Sequence, residues 1–184
     1  MNWQPVIDEV DSSFFDRDVD VVARDLIGRK LRVSDPDGSA QFAVIVESEA
    51  YGDTSDPASH AAFRPGGRAL LMAGPPGSVY VYSAYGMYPC LNFVTSAEGV
   101  SSAVLIRGVW RTGDTRPVLG PGRTTRLLRI TAADHGEVTP GNRFGIGRDR
   151  RKVHIDCTPR IGITRATQIK WRFVADIGDH SIEP

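Results

Sequence analysis

The sequence predicts a single domain of the α+β class, spanning 1–184. Three observations lead there. A pair of strands is joined by a four-residue turn, a second run of strands extends from Ser78 to Trp110, and helical signals are confined to two short stretches. A chain of 184 residues favours one domain with enough material for a real core. No repeat, low-complexity tract or interdomain linker interrupts it.

Val19, Val22, Ala23 and Leu26 recur at helical spacing, which predicts a packing helix capped by Asp16 or Asp18 and stopped by Gly28. Leu31–Val33 reads as a strand, Asp35-Pro36-Asp37-Gly38 as a turn, and Phe42–Tyr51 as the return strand. Gly52 to Gly77 is rich in Gly and Pro and lacks periodicity; it holds His60, Arg64 and Arg68. A structureless connection of that length is usually a functional loop. In Ser78–Tyr85, Tyr80 and Tyr82 share one face and Val79 and Val81 the other. Gly86 then breaks the strand and puts Tyr85 at a turn tip. Strands follow at Cys90–Thr95 and Ala103–Trp110. Gly120-Pro121-Gly122-Arg123 forms an elbow before a helix over Thr124–Ile130. Its amides and Arg123 suit a phosphate, or simply cap the helix. Residues 140–152 read as a loop and basic turn, Val153–Cys157 as a strand, Arg160–Ile163 as a tight segment and Trp171–Val174 as a last strand.

Hydrophobic residues at 41% and charged residues at 24% are ordinary for a globular protein. No apolar run approaches the roughly 20 residues of a membrane span. The N-terminus lacks the basic start and apolar core of a signal peptide. Cys90 and Cys157 have no metal-type spacing and are expected to be reduced, so a cytoplasmic location is expected. There is no Cys/His metal cluster, Walker loop or dinucleotide fingerprint, and no cofactor is expected. Zero net charge argues against a polyanionic partner, but the distribution argues the other way. Residues 107–172 carry 15 of the 22 Lys and Arg against five acidic residues, whereas residues 1–106 carry seven basic and fourteen acidic ones. The second half therefore predicts either a basic binding surface or a solvated arginine-rich one.

Candidate chemistry centres on Val44–His60. In a strand, Glu47, Glu49 and Tyr51 point the same way. Two carboxylates so placed need solvent, a basic partner or a raised pKa. A solvated acidic strand end is the plain alternative. All five tyrosines lie between 51 and 88. They describe either cross-strand packing or an aromatic pocket for a planar ring.

ESEAY followed by His60, then YVYSAYGMYPCLN, AVLIR, GPGR and PRIGI, in this order, closely resembles the alkyladenine (3-methyladenine) DNA glycosylases over roughly residues 13–175. The resemblance implies a compact mixed α/β fold built on a curved antiparallel sheet with peripheral helices. It also implies a monofunctional base-excision repair enzyme that removes alkylated or deaminated purines without metal or cofactor. Such an enzyme must extrude the nucleotide from the duplex. By resemblance, Glu49 directs water at C1′ and supports an oxocarbenium-like transition state. Arg107 positions that water and the DNA backbone, and its charge is expected to lower the Glu49 pKa. The Ile161 carbonyl is a third water contact. Tyr51 takes one face of the flipped base and His60 and Tyr82 the other. Met87, Asn92 and Leu105 complete the pocket, Asn92 crowding the amino group of normal guanine. Tyr85 is the wedge for the vacated stack, and Arg68 and Arg123 are DNA contacts.

The sequence also departs from the family. RPGGRALLM stands where an Arg-Thr-x-Arg-Asn run is common, and QIKWRF lacks a proline before tryptophan. The expected partner is damaged double-stranded DNA, with no membrane and no nucleotide cofactor, and a monomer suffices. Two other readings stay open: a damage-binding protein with weak or no catalysis, and a carboxylate-dependent hydrolase of another glycoside.

Overall fold

The structure, a computed structural model, describes residues 7–84, 86–176 and 178. Helix α1 (Val19–Leu26) buries Val19, Val22, Ala23 and Leu26 as its spacing requires. Asp18 occupies the cap position, although its side chain makes no capping bond. Gly28 ends the segment at φ +86°, where a Cβ would press on the Arg151 carbonyl. The helix lies against the sheet, tied by Ser48 Oγ donating to the Ala23 carbonyl at 2.8 Å.

Strands β1 (Arg29–Ser34) and β2 (Ala40–Tyr51) form the expected hairpin, with Lys30 opposite Val44. The chain continues through β3 (Val79–Ala84), β4 (Tyr88–Val94), β5 (Ala103–Arg111) and the short β6 (Val118–Leu119). It ends in β7 (Phe144–Arg150), β8 (Ile155–Thr158) and β9 (Arg172–Ala175). Among the described residues these make one nine-stranded sheet in the order β3-β4-β5-β2-β1-β7, with β6 on β5, β9 on β2 and β8 on β9. Every pairing is antiparallel.

Strand β2 is the axis of the molecule. Its first half pairs with β1; past Val44 that edge is taken over by β9, which pairs with Glu47 to Glu49. The other edge runs along β5. The glutamates are therefore enclosed, with Glu47 3% and Glu49 0% exposed, and the solvated strand end does not exist.

Three further expectations are corrected. The 52–77 connection is not structureless: it holds α2 (His60–Phe63) and a 3-10 turn over Gly67–Ala73. Ser59 starts α2, its Oγ accepting from Ala61 N–H at 3.3 Å, a local cap that lacks a periodic signature. The helix placed at Thr124–Ile130 is α3 (Pro121–Leu127), which begins earlier because Pro121 fits the first turn. The 140–152 loop contains β7. Phe144 and Ile146 are fully buried on its inner face, but the alternation is hidden by Gly145 and Gly147. Gly145 is required there because a Cβ would collide with the Glu9 carboxylate, which is paired with Arg32.

The charge bias also resolves in part. At least eight of the fifteen Lys and Arg in 107–172 pair with carboxylates. Much of the excess therefore knits the fold together. Among the described residues no helix is long and apolar enough to cross a membrane.

Candidate active site

A cavity of about 980 Å³ opens at the end of β2, between β3–β5, α2, the Gly67–Ala73 turn and the loop at Ile161–Ile163. Tyr51, His60, Arg68, Tyr82, Asn92, Leu105, Arg107 and Ile161, eight of the sequence-derived candidates, line it.

Glu49 lies beneath this lining. Tyr51 OH donates to its Oε2 at 2.8 Å and Ile161 N–H to its Oε1 at 2.7 Å. Arg107 Nε stands 3.4 Å from Oε1, so three cavity residues converge on this one carboxylate. Glu47 is held differently. Its Oε1 accepts from Arg107 Nε at 2.9 Å and from Arg172 Nε at 2.7 Å; like Glu49, it is absent from the lining itself. Arg107, on β5, is 9% exposed, and its carbonyl accepts from the buried Thr124 hydroxyl of α3 at 3.1 Å. Gly108 follows it opposite Glu47, where a Cβ would approach Leu119 to 2.8 Å and Glu47 to 3.0 Å.

Burial pushes the Glu49 carboxyl above its ordinary range, against the opposing pull of Arg107, the Ile161 N–H and the Tyr51 hydroxyl. The expectation that Arg107 sets a lowered pKa is corrected: the arginine acts in that direction, but desolvation is the larger effect. Burial and the neighbouring Glu49 likewise raise the Tyr51 phenol. The Ile161 N–H thus meets Glu49 directly, a contact additional to the water contact expected of its carbonyl.

Across the cavity, His60 begins α2. Its Nδ1 lies 2.8 Å from Tyr80 OH, and its ring meets Tyr82 edge-on with centroids 4.5 Å apart. Burial and Arg64 hold the imidazole below its usual pKa. Tyr82 and Cys90 both line the cavity. Asn92 is 3% exposed, its amide N–H groups donating to the Tyr80 and Cys90 carbonyls, each at 3.0 Å. Leu105 faces it across the β4–β5 ladder.

Other candidates lie elsewhere. Met87 is 70% exposed in the turn after β3 and outside the lining, because Gly86 at φ +72° turns the chain outward. Arg123 is exposed on α3, also outside the lining. Arg68 is exposed on the rim, its Nη1 donating to the Ala132 carbonyl at 3.2 Å. Tyr85 lies outside the described residues. Residues not singled out from sequence include Tyr80 as a partner of His60. Its shared face with Tyr82 was the available signal. The Asp56–Arg160 pair beside Ile161 had none. Among the described residues no three His, Cys, Asp or Glu side chains gather as a metal site would require.

A buried carboxylate held by an arginine under an aromatic cavity suits hydrolysis of a glycosidic bond to a planar base. Residues 13–178 match the family model of methylpurine-DNA glycosylase. Three curated relatives carry the name "Putative 3-methyladenine DNA glycosylase". The Ehrlichia chaffeensis protein is 39% identical over 88% of this chain and 90% of its own length. The Rickettsia africae protein is 38% identical over 95% and 97%, and the Wolbachia pipientis wMel protein 42% over 88% of each. The chain belongs to the methylpurine-DNA glycosylase family and is a DNA N-glycosylase, a hydrolase of DNA repair.

Proposed function

We propose that this glycosylase extrudes alkylated or deaminated purines, of the 3-methyladenine, 7-methylguanine, hypoxanthine and ethenoadenine type, and cleaves their N-glycosidic bond with a water activated by Glu49. The observation that carries this reading is the convergence of three cavity-lining residues, Tyr51, Arg107 and Ile161, on Glu49 just beneath the cavity. The water oxygen bonds to C1′, the C1′–N bond breaks with its electron pair leaving on the purine, and the water proton passes to Glu49. The carboxylate also supports positive charge on the sugar in the transition state. An abasic site remains.

Tyr51 stacks on one face of the base and His60 with Tyr82 on the other. Asn92 cannot turn away from a 2-amino group without giving up two bonds to buried carbonyls, which supports exclusion of normal guanine. Leu105 closes the apolar side. Arg107 and the Ile161 peptide position the water. Arg68 and Arg123 contact phosphates, Tyr85 fills the vacated stack, and exposed Met87 meets the duplex beside it. The enzyme works as a monomer, one lesion at a time, without metal or nucleotide cofactor.

Duplex oligonucleotides carrying 7-methylguanine, hypoxanthine or ethenoadenine provide the test. Wild type is expected to generate abasic sites, and Glu49→Gln to lose at least about a hundredfold in rate, the scale of a missing general base. Full activity in Glu49→Gln with loss in Glu47→Gln reverses the assignment. A shifted duplex whose bases all stay attached identifies a damage-binding protein instead.

A further inference from the structure

Arg160 directly precedes Ile161, and its side chain is fully buried. Nη1 donates to Asp56 Oδ2 at 2.6 Å and Nη2 to Asp56 Oδ1 at 2.8 Å. Nη1 also donates to the Ala50 carbonyl at 2.9 Å. Asp56 in turn accepts from Gly52 N–H at 3.0 Å and Ala58 N–H at 3.1 Å. The guanidinium lies over the Tyr51 ring, 4.8 Å from its centroid, and 5.4 Å from that of Trp171. Tyr51 lines the cavity and Arg160 does not, so the guanidinium backs the ring from the side turned away from the substrate. Arg160 Nε is buried without a partner. An apolar contact would hold two loops together without that desolvation penalty, so stability alone is a poor reason for this pair.

We infer that the Asp56–Arg160 pair is a positioning clasp that holds the Ile161 N–H on Glu49 and seats the Tyr51 ring against the cavity. The inference rests on the proposed role of Glu49. The clasp joins the 52–58 loop to the 160–163 loop, and the two groups it orients are both hydrogen-bond donors to the same carboxylate. Gly52 shows how closely the parts fit: a Cβ there would stand 3.3 Å from both Asp56 Cβ and the Trp171 ring. The groups facing Glu49 are Arg107 from β5, Glu47 and Tyr51 from β2, and the Ile161 N–H. Arg172 of β9 reaches Glu47 instead, and Arg160 touches neither Glu49 oxygen, so it acts through Ile161 and Tyr51.

Single-turnover excision of 7-methylguanine, a cationic leaving group that needs no proton, is measured against pH for wild type, Arg160→Lys and Glu49→Gln. Lysine keeps a charge opposite Asp56 but cannot make the planar double bond, reach Ala50 and cover Tyr51 together. Loosening the Ile161 N–H should move the acid limb of the profile up by about half to one pH unit. A merely structural role would lower the amplitude and leave the limb in place, and that result overturns the clasp. If Arg160→Lys does not fold, Gly52→Ala decides: it strains the same contacts without removing a charge, and an unmoved limb overturns the clasp. A wild-type profile with no limb, or one that persists in Glu49→Gln, brings down the Glu49 assignment and the clasp with it. A normal wild-type limb left unmoved by Arg160→Lys brings down the clasp alone.

Discussion

Glu49 is under opposing demands: a base must be ionised, while burial favours the protonated form. With its folded pKa raised, the acid favours folding below the unfolded pKa. That contribution is lost as pH rises through the folded value, so at neutral pH the ionised carboxylate weakens the fold. Glu49→Gln, while losing activity, is therefore expected to melt no lower than wild type at pH 7.5 in a thermal denaturation scan. Its amide can accept from Ile161 N–H and donate to Tyr51 OH. The wild-type excision rate should rise with pH through a midpoint above the usual carboxylate range, where an unburied glutamate would already be fully active. A midpoint near 4 would show that Arg107 outweighs desolvation after all.

At the scale of elements, β2 matters because its second half exchanges β1 for β9. That exchange delivers Arg172 to Glu47 and leaves Glu49 to the cavity residues. Strand β7 is built around a different contact, Glu9 lying over Gly145 and bonded to Arg32 at 2.6 Å. Gly145→Ala must displace that carboxylate, and overpacking of this kind costs about 1–3 kcal/mol. The expected fall in melting temperature is roughly 2–10 °C, read by circular dichroism, with the rate per folded molecule unchanged because β7 is remote from the cavity lining. An unaltered melting temperature would mean that Glu9 contributes nothing there.

For the molecule as a whole, the arginine-rich half promised a wide basic face. The structure instead joins much of that charge to carboxylates, while Arg64 and Arg68 line the cavity mouth. Only part of the basic charge then faces phosphates, Arg68 and Arg123 foremost, and binding of an abasic-analogue duplex should show a moderate salt dependence. A log–log slope no steeper than about −4 is expected in anisotropy titrations, and Arg68→Ala should reduce it by about one. A slope near −8 would mean that about nine basic side chains reach phosphates, far more than Arg68 and Arg123.

The amino-acid sequence alone determined what is local. Helical spacing marked α1, a Pro/Gly turn marked the β1–β2 hairpin, and period-2 alternation put Glu47, Glu49 and Tyr51 on one side. Those patterns survive because helices and strands repeat over a few residues. The motif resemblance added the family and the set of candidate side chains. Only the tertiary structure separated the two glutamates, since their partners come from β5, β9 and the Ile161 loop, far along the chain. It alone brought Arg160 to Asp56 across 104 positions, and it revealed β7 through Gly145, whose small size answers to Glu9 rather than to its neighbours in sequence. It also reversed the expected balance on Glu49. A nearby arginine is legible in a motif, but the water excluded from a carboxylate depends on everything packed around it.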